Sequence, residues 1–132
     1  TSIWTLFTKS NLKQVPAAET RWDFDLLTKE FVARLRNGHT TFDDDFLNRA
    51  GGAPVGFAAS PVEGKWTVRE SRLDTLKAGD VIEAIDRVPM DQFFAQQRKY
   101  ISASSDAAAQ HTFFYYKLPV QGAIHGASCG WA

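Results

Sequence analysis

The stretch that decides the fold is LKAGDVIEAID, residues 76–86. Gly79 has no side chain and permits a tight turn, after which the Asp80 carboxylate can accept hydrogen bonds from nearby backbone amides. Residues 81–85 are rich in β-branched side chains and predict a strand whose aliphatic residues enter a core. Asp86 and Arg87 predict the turn that ends this strand.

Shorter patterns on either side extend this reading. Apolar residues predict strands at 55–59 and 66–70, joined by a turn over 61–65 that contains Gly64. We expect one helical turn at 73–77 and an extended segment at 88–90. Asp91 is expected to cap a helix that carries Phe93, Phe94, Tyr100 and Ile101. The aromatic run 111–118 predicts a last strand, with about half of its side chains buried.

The N-terminal part of the chain has helical rather than strand-like spacing. Residues 3–7 are apolar and fit either a short helix or a strand. Asp23 is expected to be the N-cap of a helix over 23–37, and Asn37-Gly38 is expected to end it. A short β-segment is predicted at 39–42. Residues 51–54, Gly-Gly-Ala-Pro, form the clearest linker in the chain.

The stretch 76–86 resembles the most recognisable segment of PDZ domains, which combines a leucine, a short turn, Gly-Asp and an aliphatic strand ending in Asp. PDZ domains usually place Gly after that Asp, whereas this chain has Arg87. Upstream, Pro54-Val55-Gly56-Phe57 is similar to the PDZ loop that receives a peptide C-terminus. The resemblance therefore implies that Val55, Gly56 and Phe57 bind substrate, with the peptide added as an extra strand.

The second resemblance concerns Gly38-His39-Thr40, which follows a helix and precedes the PDZ-like segment. This order is similar to the C-terminal processing and tricorn-like serine peptidases. In the tricorn-like branch the histidine is the general base, which implies a catalytic role for His39. The family's serine lies in a later core domain on a glycine-rich turn. Neither Ser102, Ser104 and Ser105 nor Ser128 has such surroundings, so we expect this chain alone to be inert as a peptidase.

Composition excludes several other classes of function. Fifteen basic and fifteen acidic residues cancel, so no basic stripe marks a nucleic-acid surface. Cys129 is the single cysteine and cannot form an intramolecular disulfide. The three histidines, His39, His111 and His125, are too scattered for a zinc site, and 43–45 lacks the pattern of a calcium loop. We therefore expect no metal and no cofactor.

Together these observations predict an α+β fold: a helical region over 1–50, a PDZ-like partly open β-barrel over 51–118, and a tail over 119–132 that leads toward a catalytic core. The expected partner is a polypeptide substrate or a peptide C-terminus. Family resemblance alone favours a periplasmic or extracytoplasmic location. Two alternatives stay open: a non-catalytic module that binds peptide ends or partner segments, with His39 only structural, and a carrier of apolar ligands.

Overall fold

Helices occupy the N-terminal part of the computed structural model, which describes residues 3–50 and 55–117. They are α1 (Ile3–Gln14), a 3-10 turn at Val15–Ala17, α2 (Arg21–Ala33) and α3 (Asp45–Ala50). Pro16 lies within the 3-10 turn, near a helix start where its missing N–H is tolerated. Residues 3–7 are therefore helical, which resolves the alternative that their apolar pattern left open.

Helix α2 begins earlier than expected because Thr20, and not Asp23, is its N-cap. The Thr20 hydroxyl accepts a hydrogen bond from the Asp23 backbone N–H at 3.1 Å, and the Asp23 carboxylate accepts one from the Thr20 N–H at 3.3 Å. This reciprocal pair is a capping box, which satisfies two backbone donors that have no partner within the helix. The prediction of Asp23 as the N-cap was wrong, since Asp23 is the third residue of the helix.

The segment after α2 differs from the sequence prediction in two respects. The helix ends at Ala33, and Arg36, at φ +53°, takes the left-handed conformation expected of Gly38. The predicted β-segment at 39–42 is absent from this described segment. Instead, Asn37 makes local hydrogen bonds: its side-chain oxygen accepts from the His39 N–H at 2.9 Å, and its carbonyl accepts from the Thr40 N–H at 3.2 Å. Such local bonds compete with a strand ladder.

A two-stranded antiparallel hairpin forms the centre of the second half, as the sequence predicted, but its turn is shorter than the expected 61–65 because Pro61 belongs to the first strand. Strand β1 (Phe57–Val62) pairs with β2 (Lys65–Ser71). The connecting residues Glu63 and Gly64 both have positive φ, at +51° and +78°, which suits a two-residue hairpin turn. A bulge between Ala58 and Ala59 leaves Arg69 without a directly opposite residue on β1.

The stretch 76–86 continues the sheet only in part. Val81 forms a bridge to Thr67 of β2, and the Lys77 N–H donates to the Asp80 carboxylate at 2.8 Å, as the sequence predicted for this aspartate. The strand expected over 81–85 is regular only at β3 (Ala84–Ile85), which pairs with β4 (Val88–Pro89). Asp86 and Arg87 form the turn that the sequence predicted, at φ +48° and +68°. The helical turn predicted at 73–77 does not form.

The remaining elements are helical. Helix α4 (Met90–Arg98) starts after Pro89, and Asp91 does not cap it but accepts the Trp66 Nε1–H at 3.2 Å. Helix α5 (Asp106–Thr112) continues into a π-helical segment (Phe113–Lys117). The strand predicted at 111–118 was therefore wrong over its described part. The Ser105 hydroxyl caps α5 by accepting the Ala108 N–H at 3.1 Å. This capping signal favours a helix and outweighs the preference of the aromatic run for a strand.

Aromatic side chains from the hairpin and the C-terminal helices form the core. Phe113 is fully buried, with its ring centroid 5.3 Å from Phe94 and 5.9 Å from Trp66. The fold is therefore α+β, and the small antiparallel sheets, α4 and α5 surround one cluster. The described strands form two two-stranded sheets and one bridge, not a closed barrel. The 51–54 linker and the tail 119–132 lie outside the described residues, together with Ser128, His125 and Cys129.

Across residues 3–50 and 55–117, no helix has both the length and the apolar character that crossing a bilayer requires.

Candidate functional site

Gly56 turns the chain into β1. Its φ is +86°, and its carbonyl accepts the Arg72 N–H at 2.7 Å. A Cβ at this position would lie 3.0 Å from Leu73 Cδ2, closer than side chains normally approach. The residue is therefore required both for its backbone conformation and for the space beside it. Val55, immediately before it, is half-buried and packs against the core.

Phe57 belongs to the core and not to a ligand surface. Its side chain is 9% exposed, and its ring centroid lies 5.0 Å from that of Phe114 in the π-helical segment. Trp66 of β2 also contacts Phe113 and Phe114, so the C-terminal helices pack against a face of the hairpin that both strands form. The three predicted substrate-binding residues therefore lie together, but what Phe57 can present to a ligand is its backbone.

The outer edge of β1 is defined by the register of the hairpin. In an antiparallel pair, directly opposite residues bond either to each other or outward on both strands. Val68 bonds outward, since its N–H donates to the Asp80 carbonyl at 2.8 Å and its carbonyl accepts the Gly79 N–H at 2.9 Å. Its partner Ala59 therefore directs its N–H and carbonyl away from β2. No described strand pairs with β1 on that side.

Pro61 limits what this edge can offer. Its partner Trp66 bonds outward through its carbonyl, which accepts the Ile82 N–H at 2.8 Å, so Pro61 also faces away from β2. Proline has no N–H, and this is the kind of position at which strands tolerate it. On its outer edge, β1 therefore has a donor and an acceptor at Ala59 but only an acceptor at Pro61, and Ala59 is buried.

Arg69 fixes the other face of the hairpin next to the bulge. Its Nη1 donates to the Ser60 hydroxyl at 3.1 Å, and Ser60 is 4% exposed. This bond spans the two strands where the ladder is interrupted, because Arg69 is the extra residue of the bulge. Arg69 therefore ties the two strands together at the position where the bulge interrupts the ladder.

His39 lies on the turn after α2 with its side chain exposed. Its backbone N–H is bonded to Asn37, and no described residue hydrogen-bonds its imidazole. No described hydrogen bond or ring contact joins His39 to residues 55–57. The structure therefore places His39 at the surface. Residues that precede it on the same turn contact the second half of the chain.

The neighbourhood of this turn contains a cluster that the sequence did not reveal. Arg36 Nη2 lies 3.5 Å from Asp106 Oδ1 at the start of α5, and Arg98 Nε lies 2.7 Å from the same oxygen. Hydrogen bonds from Arg98, followed by the nearby positive charges, hold the pKa of the Asp106 carboxyl below its usual value. These residues are far apart in the chain and match no motif, so no local signal could have found them.

Neither the serines considered as nucleophiles nor the potential metal ligands form a site among the described residues. Ser105 is occupied as the cap of α5, and Ser102 is buried after α4. Among the described residues, no group of three or more histidine, cysteine, aspartate or glutamate side chains is placed to hold a metal ion.

Comparison of the chain with protein-family models, with curated proteins and with solved structures found no match. What the chain does must therefore be inferred from its own residues and their geometry.

Proposed function

We propose that this chain is the N-terminal and PDZ-like portion of a serine peptidase that cleaves polypeptides. In this proposal, the end of a substrate chain binds along the outer edge of β1, and residues 51–118 act as a PDZ-like, partly open barrel. His39 serves as general base for a serine carried elsewhere in the protein. The observation that supports it most is an edge strand preceded by a glycine at φ +86° and flanked by a helical segment.

The binding step follows from backbone chemistry. The Ala59 N–H and carbonyl point away from β2 and can pair with an antiparallel peptide as an added strand. Because Ala59 is 0% exposed, the peptide reaches these groups only when α5 and the π-helical segment, which contact β1, move aside. The backbone amides of Val55, Gly56 and Phe57 lie where the C-terminal carboxylate of such a peptide would end. Successive N–H groups around a left-handed glycine form an anion-binding concavity, and glycine lets the ligand approach closely.

The catalytic step is acyl transfer. The serine hydroxyl attacks the peptide carbonyl, His39 takes its proton, and the same imidazole then protonates the leaving amine. An exposed imidazole on a turn is accessible to a second domain that brings the serine. Arg36, three positions earlier, is ion-paired to Asp106 at the start of α5, so the turn that carries His39 contacts the helix that flanks β1.

A non-catalytic peptide-binding module is the second candidate. It is favoured by one observation: no described residue hydrogen-bonds the His39 imidazole, so no partner orients the ring. The two candidates share the β1 edge and differ in what the rest of the gene encodes. A serine on a glycine-rich strand-to-helix turn after residue 132 supports the peptidase, and an unrelated domain there supports the module.

Peptide titration tests the binding step. We expect peptides with a free C-terminus to bind at least about tenfold more tightly than their amidated forms, because hydrogen bonds to a charged group contribute about 1.5–3 kcal/mol. Calorimetry with peptides N-methylated at successive positions adds a second readout. Methylation should weaken binding at alternate amides only, since alternate residues of an added strand face β1. Equal affinity of free and amidated peptides would contradict carboxylate capture.

Mutation of His39 tests the catalytic step. In the full-length protein, we expect His39→Ala to reduce kcat by a factor of at least about 100, because a positioned general base contributes 10²–10⁴-fold. Peptide affinity should stay unchanged, since the substitution is outside the β1 edge. Circular dichroism of the variant provides the folding control. Undiminished turnover would remove His39 from the mechanism and leave the binding module.

A further inference from the structure

A cavity of about 260 Å³ lies between the end of α2 and the facing ends of α4 and α5. We call it the seam cavity, and its lining residues are Ala33, Arg34, Arg36, Arg98, Lys99 and Asp106. Four of these six side chains carry a positive charge and one carries a negative charge. We propose that the seam cavity binds a compact dianion, namely inorganic phosphate or the phosphate group of a monoester.

The charge balance around the seam cavity is incomplete. Arg34 is paired with Glu30 at 2.8 Å, outside the lining. Arg36 and Arg98 share a single oxygen of Asp106, at 3.5 and 2.7 Å. Among the described lining residues and Glu30, four positive groups stand beside two carboxylates, so the positive charges outnumber the negative ones by two. Like charges held this close repel one another, and a bound dianion would remove that repulsion.

Arg98 is held in position by hydrogen bonds, and Arg36 occupies an unusual backbone conformation. Arg98 is only 20% exposed and has a second fixed bond, from Nη1 to the Ile101 carbonyl at 2.7 Å. The Arg36 backbone adopts φ +53°, a conformation that costs a residue with a side chain about 1–2 kcal/mol. Persistent strain of this kind concentrates at ligand sites. Planar guanidinium groups also match the geometry of phosphate oxygens.

The lining also limits the ligand's size and character. Among the described lining residues, Ala33 is the one apolar residue, and none has an aromatic ring on which a nucleotide base could stack. The Lys99 ammonium lies 5.0 Å from the Tyr100 ring centroid and supplies a fourth positive group at the rim. A small group with two negative charges fits this arrangement, whereas a nucleoside would find neither stacking nor apolar contact. This inference does not depend on the peptidase proposal.

Titration of the purified chain with sodium phosphate tests the inference, with sodium chloride at matched ionic strength as the reference. We expect saturable binding by calorimetry and a rise in the unfolding midpoint that chloride does not give, because a ligand stabilises the state that binds it. Glycerol phosphate forms a second arm. Binding of either compound supports the site, and their ratio shows whether free phosphate or a monoester is preferred.

Variants separate a site from general charge screening. Arg36→Gln should weaken phosphate binding by about tenfold, since one charge-assisted hydrogen bond contributes roughly 1.5–3 kcal/mol. Arg36 is 60% exposed, so this variant should fold. Arg87→Gln removes an exposed arginine from the β3–β4 turn and should leave the affinity unchanged. The inference is overturned if phosphate acts no differently from chloride, or if both variants bind phosphate as the unaltered chain does.

Discussion

Two features of the structure require glycine at position 56: a left-handed backbone conformation and the close approach of Leu73. Gly56→Ala would bring a Cβ to 3.0 Å from Leu73 Cδ2 while keeping φ near +86°. We expect a loss of about 1–2 kcal/mol in the free energy of unfolding, because the left-handed region disfavours any residue with a Cβ. Urea denaturation of the purified chain measures it.

Gly38→Ala is the matched control at the same scale. A Cβ there meets nothing within 4 Å, and Gly38 is not among the residues with positive φ. We expect a change within about 0.5 kcal/mol, as for most surface substitutions. A larger loss at Gly38 than at Gly56 would contradict the assignment of the strained position. It would also restore Gly38 as the residue that ends α2.

At the scale of elements, sequence patterns succeeded where a single local signal dominated. The β1–β2 hairpin follows from two short apolar runs around Gly64, and α2 follows from its helical spacing. The aromatic run at 111–118 was misjudged because aromatic residues favour strands only weakly. Capping by Ser105 and three successive alanines begin a helix before that run, and core packing of Phe113 and Phe114 continues it.

The candidate site, like the helices and strands, was predictable only where a local sequence signal determines the structure. Val55, Gly56 and Phe57 are adjacent in sequence, so a glycine before a strand was enough to predict where β1 starts. Burial of the Phe57 ring against Phe114 depends on a contact between distant segments, which no local pattern encodes. The seam cavity was even less predictable from the sequence, since its charged residues come from three separate parts of the chain.

At the scale of the whole molecule, two ion-pair clusters join segments that are distant in the chain. Arg21 hydrogen-bonds both Asp25, which is 1% exposed, and Asp44, which precedes α3. Hydrogen bonds from Arg21 and from the Phe46 backbone lower the pKa of the Asp44 carboxyl, and the Arg98 hydrogen bond lowers that of Asp106. Both carboxylates therefore stabilise the folded chain only while they are ionised.

These pKa shifts predict a specific response to acid. A carboxyl whose pKa is lower in the folded state binds its proton more tightly when unfolded, so its contribution is present above the ordinary aspartate pKa of about 4 and is lost as the pH falls below it. We expect the urea midpoint to decrease from pH 5 to pH 2. Asp44→Asn and Asp106→Asn should each flatten that decrease.

Asp74→Asn, at an exposed position in the loop before residue 76, is the control for the acid response and should leave the profile unchanged. High salt should reduce the difference between the variants and the unaltered chain, because each ion pair has at least one exposed partner, Arg21 in one cluster and Asp106 in the other, and is therefore partly screened. If the acid profiles of Asp44→Asn and Asp106→Asn superimpose on that of the unaltered chain, the two clusters do not govern acid stability.

Pro61 has a consequence for the behaviour of the chain in concentrated solution. Sheet edges with a full row of donors and acceptors invite identical chains to stack into fibrils, and natural proteins guard against this with prolines and bulges. Here the bulge at Ala58–Ala59 and the missing N–H of Pro61 leave room for only a short run of added strand. Ala59 is also 0% exposed, so two copies of the molecule are poorly suited to self-association through β1.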